Sequence, residues 1–339
     1  MRDLIYIGTY TNAGGKGIYG VEIAADGKLS IVNSAESVSP SYLIYSSDKR
    51  YIYAANEARE VEGMPGGAMT AFEVLADGSL KRVVCRRAGG SSPCHLLEHY
   101  GFLYVSNYGA GSVTAYPLED GVPGEPVLTH QHEGSGPDKR RQEKPHAHCA
   151  MAVPGTDVFC VIDLGIDQAC FYRNDGGALK LVQAVKFPGG AGPRHLVFSK
   201  DGRFGWVVTE LSNEVFSLKN DNGWEISGCS STLPSDFTGV SNCAAIKLSN
   251  DGKLIAASNR GHDSAAIYDV DGATGLLTLK GIYPVGGATP RDINFSRDDK
   301  WLLSANQDSD IVTVLSVKDG FKLVEGAAAA ISRPTCVLV

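Results

Sequence analysis

Between Gly192 and Glu210 the chain reads GPRHLVFSKDGRFGWVVTE, with Arg194 and His195 opening one apolar run and Glu210 closing the next. An imidazole or a carboxylate can take a proton as a general base. A guanidinium, always charged, can hold a phosphate, a carboxylate or a developing oxyanion in a fork. Groups of these kinds recur at corresponding points elsewhere. Tyr42, His95, His146, His148 and Arg291 stand where other runs begin, and Asn56, Glu57, Asn107, Asp163, Asn259, Arg260 and Asn306 where they end. Asn at a strand end commonly bonds turn backbone, which gives Asn56, Asn107, Asn259 and Asn306 an architectural reading. Glu210 breaks that Asn-like pattern and is followed by Leu211, Ser212 and Asn213 rather than by a Gly-rich turn, so it stands out as functional.

The elements that must position these groups form a repeat. Weakened copies of the phrase begin at Pro40, Pro93, Pro145, Asn242 and Pro290, and a last fragment, PTCVLV, begins at Pro334; the spacing is about 44 to 53 residues, as in propeller blades. Each copy is an alternating apolar run, a turn rich in Asp, Gly and Lys, and a second run of Tyr, Val, Ile and Ala. Two shorter runs follow, so each unit supplies about four strands. A β-sandwich would not repeat one phrase at constant spacing. DLIYIGTYT, from Asp3 to Thr11, matches the second strand of the repeat, and PTCVLV matches the first. Pairing them completes a shared blade and closes a ring without large free edges. The expectation is an all-β, seven-bladed β-propeller of four-stranded antiparallel blades forming a single domain over residues 1–339.

One reversal of the chain separates the start of a first strand from the end of a second, so both lie at one mouth of the ring. The connection from Glu133 to Lys144 and the insertion from Glu60 to Met69 emerge at that edge and can rim a pocket. Adjacent strand residues face opposite sides, so only one of Arg194 and His195 is expected to line it.

A net charge of −7 argues against a nucleic-acid or anionic-membrane surface. The basic run Lys139, Arg140, Arg141 and Lys144 reads as a solvated loop against that balance. No apolar run approaches the roughly 18 residues of a membrane span, and the first residues lack signal-peptide features. Cys85, Cys94, Cys149, Cys160, Cys170, Cys229, Cys243 and Cys336 are scattered, without CxxC pairs, as free thiols of a reducing compartment would be. A cytoplasmic location is expected; oligomeric state is not legible. No GxSxG elbow, P-loop or dinucleotide fingerprint is present.

IYIGTYT, the GPRHLVFS phrase with TEL beyond it, SNRGHDS from Ser258 and PHAH from Pro145 together resemble the propeller lactonase family, which includes bacterial 6-phosphogluconolactonases and the fungal carboxy-muconate lactonizing enzyme. The resemblance covers essentially the whole chain and implies a cleft at one mouth of a seven-bladed propeller. It implies His148, Arg194, Glu210 and Arg260 as catalytic residues, each matched by its place in a family motif. His146, His195, Asn107, Arg291 and Asn306 are carried beside them as candidate substrate contacts.

Opening a lactone needs an activated water, a site for the oxyanion and a proton for the departing alkoxide. His148 or Glu210 can serve as base, and Arg194 and Arg260 as holders of the oxyanion or of an anionic group on the substrate. The expected partner is a small anionic sugar lactone, most simply 6-phospho-D-glucono-1,5-lactone. His146 and His148 have the spacing of a zinc-binding pair, but no third ligand is evident and the arginines repel a cation, so neither metal nor cofactor is expected. Two alternatives stay open: a non-catalytic propeller binding a sugar or protein at its mouth, and a muconate-type lactonizing cyclase.

Overall fold

A computed structural model describes residues 4–12 and 14–339. Asp3, where the first strand was expected to begin, lies outside them, as do the other two leading residues of the expected domain and Ala13. Seven antiparallel sheets follow one another around an axis. Numbered by their innermost strands, blade 1 starts at Pro40–Tyr45, blade 2 at Pro93–His99, blade 3 at Ala147–Ala152, blade 4 at Pro193–Phe198, blade 5 at Asn242–Leu248, blade 6 at Pro290–Phe295 and blade 7 at Pro334–Leu338. Blade 7 takes its other strands, Ile5–Thr9, Gly17–Ile23 and Leu29–Glu36, from the opposite end of the sequence. Thr9 pairs with Pro334 and Ile7 with Val337, closing the ring.

The inner strands are apolar nearly throughout because adjacent blades cover both of their faces. Every residue of Phe204–Thr209 is buried, whereas the outermost strand of the same blade, Trp224–Ser231, is largely accessible. The cores lie between blades: Phe171 of blade 3 stacks on Trp224 of blade 4 with ring centroids 5.2 Å apart, and Trp301 of blade 6 packs with Ile5 and Val337 of blade 7.

The repeated polar phrase has a local cause. In Ser199-Lys200-Asp201-Gly202 the Ser199 hydroxyl donates to Asp201 (2.7 Å), which accepts from the Arg203 amide. The same serine–aspartate contact recurs at Ser46 and Asp48, Ser249 and Asp251, and Ser296 and Asp298. The residue after the aspartate has positive φ, as at Gly202 (69°) and Gly252 (77°), a conformation glycine adopts without steric cost.

Candidate active site at the axial mouth

Every innermost strand carries a β-bulge near its start. In blade 4 Pro193 pairs with Thr209 and His195 with the next residue, Val208, so Arg194 has no partner of its own. The same slip leaves out Ser41, Cys94, His148 and Arg291 in blades 1, 2, 3 and 6, and Thr335 in blade 7. In blade 5 it falls at Ala244 and Ala245. A bulge leaves its extra residue outside the ladder and re-aims its side chain. Six of these residues, Ser41, Cys94, His148, Arg194, Arg291 and Thr335, meet around one narrow cavity on the axis, whose free volume of about 10 Å³ has room for about one water molecule. Tyr42, Glu57, His195 and Asp292 complete its wall.

This corrects the expectation that Arg194 and His195 diverge. The bulge breaks the alternation, both line the cavity, and Arg194 Nη1 lies 3.1 Å from His195 Nε2. His195 packs edge-on to His148 at 5.1 Å and to His95 at 5.5 Å, and His95 stacks on Tyr42 at 4.1 Å. Burial, then the charge of Arg194, pushes His148 and His195 well below the usual histidine value, so both rings are neutral. Burial, with Lys247 and Arg194, lowers His95 to about 3.

Glu210 arrives from the other strand of the hairpin, its amide donating to the Gly192 carbonyl at 2.7 Å. Its carboxylate is 5% exposed and accepts from Arg194 Nε at 3.0 Å; Arg260 Nη2 stands 2.9 Å from the same oxygen. Arg141 binds the other oxygen. Burial opposes ionisation, but Arg260, Arg194 and Arg141 override it and hold the carboxyl well below the usual carboxylate range. Burial and Arg260 lower Arg194 to about 10, which leaves it charged at neutral pH. The Arg194 guanidinium is fixed further by the Ala244 carbonyl at 2.6 Å, and that of Arg260 by the Cys243 carbonyl at 3.0 Å.

His148, Arg194, Glu210, Arg260, His195 and Arg291 thus come together at one mouth. Arg291 donates to the Tyr10 hydroxyl at 2.7 Å, and that hydroxyl donates to Glu57 at 2.6 Å. Asn107 and Asn306 do not join them. Asn107 donates to the Ala88 carbonyl at 3.2 Å and Thr114 at 3.1 Å; Asn306 donates to Thr313 at 2.9 Å and accepts from Ser304 at 2.8 Å. Both are fully buried within the blades, which withdraws them as substrate contacts in favour of the architectural reading. His146 is one layer removed: it stacks on Tyr108 at 4.3 Å, and the Tyr108 ring packs edge-on against His148 at 5.5 Å. The tyrosine therefore adjoins both rings that were considered as a metal-binding pair. Among the described residues no group of three or more His, Cys, Asp or Glu side chains is arranged to hold a metal ion.

Arg141 is the addition that the sequence did not single out. Its loop is pinned by the Gln142 side chain, which donates to Asp167 at 2.7 Å and to the Leu164 carbonyl at 2.8 Å. The basic run is therefore not uniformly solvated: Lys144 caps the Gly109 carbonyl at 2.6 Å while Arg141 turns inward to Glu210.

A propeller with guanidinium, carboxylate and imidazole groups gathered at one end of its axis is a class with known relatives. The chain belongs to the family described as lactonase, 7-bladed β-propeller, whose model matches residues 4–339. It is 34% identical over 313 residues to a 6-phosphogluconolactonase of Bacillus subtilis, an alignment covering 90% of this chain and 88% of the other. It is 32% identical over 325 residues to an uncharacterized protein of Staphylococcus saprophyticus, covering 93% and 91%. Among solved structures, a periplasmic gluconolactonase of Pseudomonas aeruginosa superposes with a TM-score of 0.92 at 27% identity, covering 98% of each chain.

Proposed function

We propose that the protein hydrolyses a sugar lactone at this mouth, with 6-phospho-D-glucono-1,5-lactone as substrate and 6-phosphogluconate as product. The observation that carries the reading is the pairing of a charged, fully positioned Arg194 with a neutral His148 in one cavity. The family and the name of the Bacillus subtilis relative support the same class of reaction.

In this mechanism water attacks the lactone carbonyl carbon while His148 takes one of its protons, and the carbonyl oxygen becomes an oxyanion held by Arg194. The intermediate collapses by breaking the bond to the ring oxygen, which leaves as an alkoxide and takes the proton from the His148 imidazolium. The product is the open-chain acid with a free hydroxyl. A histidine whose affinity for protons is depressed stays available as base in mildly acid solution, and its conjugate acid is a strong donor to the alkoxide. Glu210 is not part of the cavity wall, and both of its carboxylate oxygens are taken up by arginines. It serves as the anion that fixes Arg194 and Arg260, and this role leaves His148 as the base in the reading proposed here.

The eight cysteines are all free, which fits a reducing, cytoplasmic setting. The deciding experiment is hydrolysis of phosphorylated and unphosphorylated sugar lactones against the spontaneous rate. Rates indistinguishable from buffer with every lactone, together with tight binding of a sugar, would replace the hydrolase with a sugar-binding propeller.

A further inference from the structure

The catalytic reading above leaves Arg141 without a task. It contributes a third guanidinium to a single carboxylate, since Arg194 and Arg260 already engage Glu210 Oε2 when Arg141 takes Oε1. The nearby acids are committed elsewhere. Glu57 accepts from Tyr10 beside Arg291, and Glu143 lies 3.3 Å from His146 Nε2. The cluster therefore carries excess positive charge at the mouth of a protein whose net charge is negative. Excess charge in a partly desolvated place is costly unless an anion neutralises it. Arg141 is also the most accessible of the three, 36% exposed against 17% for Arg260 and 3% for Arg194.

Tyr108 supplies the scale. Its ring and that of His148 meet in a T-shaped contact with centroids 5.5 Å apart, and its hydroxyl lies 3.4 Å from Arg141 Nη2. One tyrosine side chain thus links Arg141 to the proposed base. A pyranose ring bearing a phosphoester on its exocyclic carbon spans a comparable length from the carbonyl at one end to the phosphate at the other.

Resting on the lactonase reading, we propose that Arg141, carried by the loop between blades 2 and 3, is the phosphate-recognising residue of the site and sets its preference for phosphorylated over unphosphorylated lactones. The loop presents the guanidinium in a fixed pose because Asp138 Oδ1 accepts from the Arg140 and Arg141 amides at 2.8 and 3.2 Å and Gln142 ties the following residue to blade 3. A fixed guanidinium binds phosphate through paired hydrogen bonds that a neutral side chain cannot supply.

The test compares wild type with Arg141→Gln and Arg141→Lys on 6-phospho-D-glucono-1,5-lactone and on D-glucono-1,5-lactone, with inorganic phosphate as competing anion. Losing one charge-assisted contact is expected to lower kcat/KM for the phosphorylated lactone by about 10- to 100-fold more than for the unphosphorylated one, chiefly through KM. Inorganic phosphate should inhibit Arg141→Gln correspondingly more weakly, with Arg141→Lys in between. Equal losses on the two lactones would overturn the proposal and leave Arg141 as an anchor of Glu210 alone. If wild type hydrolyses neither lactone, the hydrolase reading falls by itself. Direct titration with inorganic phosphate then decides the anion site: binding lost in Arg141→Gln sustains it, and binding unchanged or absent in both ends it.

Discussion

Arg194 and Glu210, 16 residues apart in sequence, meet at 3.0 Å with almost no solvent between them and the protein interior. The contact needs two separate features of one hairpin. The chain reversal brings the end of the second strand back beside the start of the first, and the bulge at Arg194 turns its side chain toward the axis instead of into a blade face. Each leaves a measurable signature.

Replacing Glu210 by Gln leaves three guanidinium groups facing a neutral amide. Breaking a buried ion pair by removing one partner costs about 3–5 kcal/mol, so Glu210→Gln should lower the urea midpoint substantially. The folded-state pKa of Glu210 lies below its ordinary value of 4.5. Its contribution is therefore complete above that pH and declines as pH falls toward the folded value. The gap between wild type and variant should narrow in acid, and a gap independent of pH would exclude an ionised Glu210 as its source.

His148→Ala should reduce kcat by about 10²- to 10⁴-fold, the range typical of a lost general base. Because the folded protein holds His148 well below 6.5, wild-type kcat/KM on D-glucono-1,5-lactone, which carries no phosphate to titrate near pH 6, should stay level as pH is lowered through 6.5. A limb titrating at the ordinary histidine value would place the base elsewhere.

On the same axis, Lys247 lies 3.5 Å from Asp292 Oδ1 and its ammonium sits over the Tyr42 ring at 5.8 Å. The other Asp292 oxygen accepts from the Val337 amide of the ring-closing strand at 2.8 Å. Lys247→Met leaves that buried carboxylate without its cation and should cost about 3 kcal/mol. Adding Asp292→Asn should restore part of the loss, as read by thermal unfolding. No recovery in the double variant would mean that the lysine acts through packing rather than charge.

Saturating chelator should leave lactone hydrolysis unchanged, since arginines occupy the positions around the carboxylate that a cation would need. A rate restored only by an added divalent metal would require a different mechanism.

The propeller was legible because its evidence is repetitive. The serine–aspartate turn after four of the inner strands and the apolar runs beside it are local features, written several times over. Arg194, Glu210 and Arg260 were legible because they interrupt that repetition at its most regular points. What escaped was of another kind. Arg141 sits in an irregular connection where no periodicity says which way a side chain turns, and a basic run there looks like a solvated one. The bulges depend on how two strands pair, and the residue left unpaired looks in sequence like any other strand residue. Alternation therefore separated Arg194 from His195, although the pairing brings them together. Asn107 and Asn306 failed as contacts for the opposite reason. Their repetition was itself the sign that they secure the hairpins to the chain arriving beside them.

The bulged positions have a bearing on descent. Ser41, Cys94, His148, Arg194, Arg291 and Thr335 all point into one space, yet none has its own place in the pairing between the two inner strands of its blade. A change of side chain there can alter the reaction or the substrate while the strand pairing stays as it was. Such a scaffold separates inheritance of shape from inheritance of activity, so relatives can keep the ring and diverge at a handful of axial positions. Identity at those positions, rather than over the whole chain, is the measure by which two members should be judged to share a substrate.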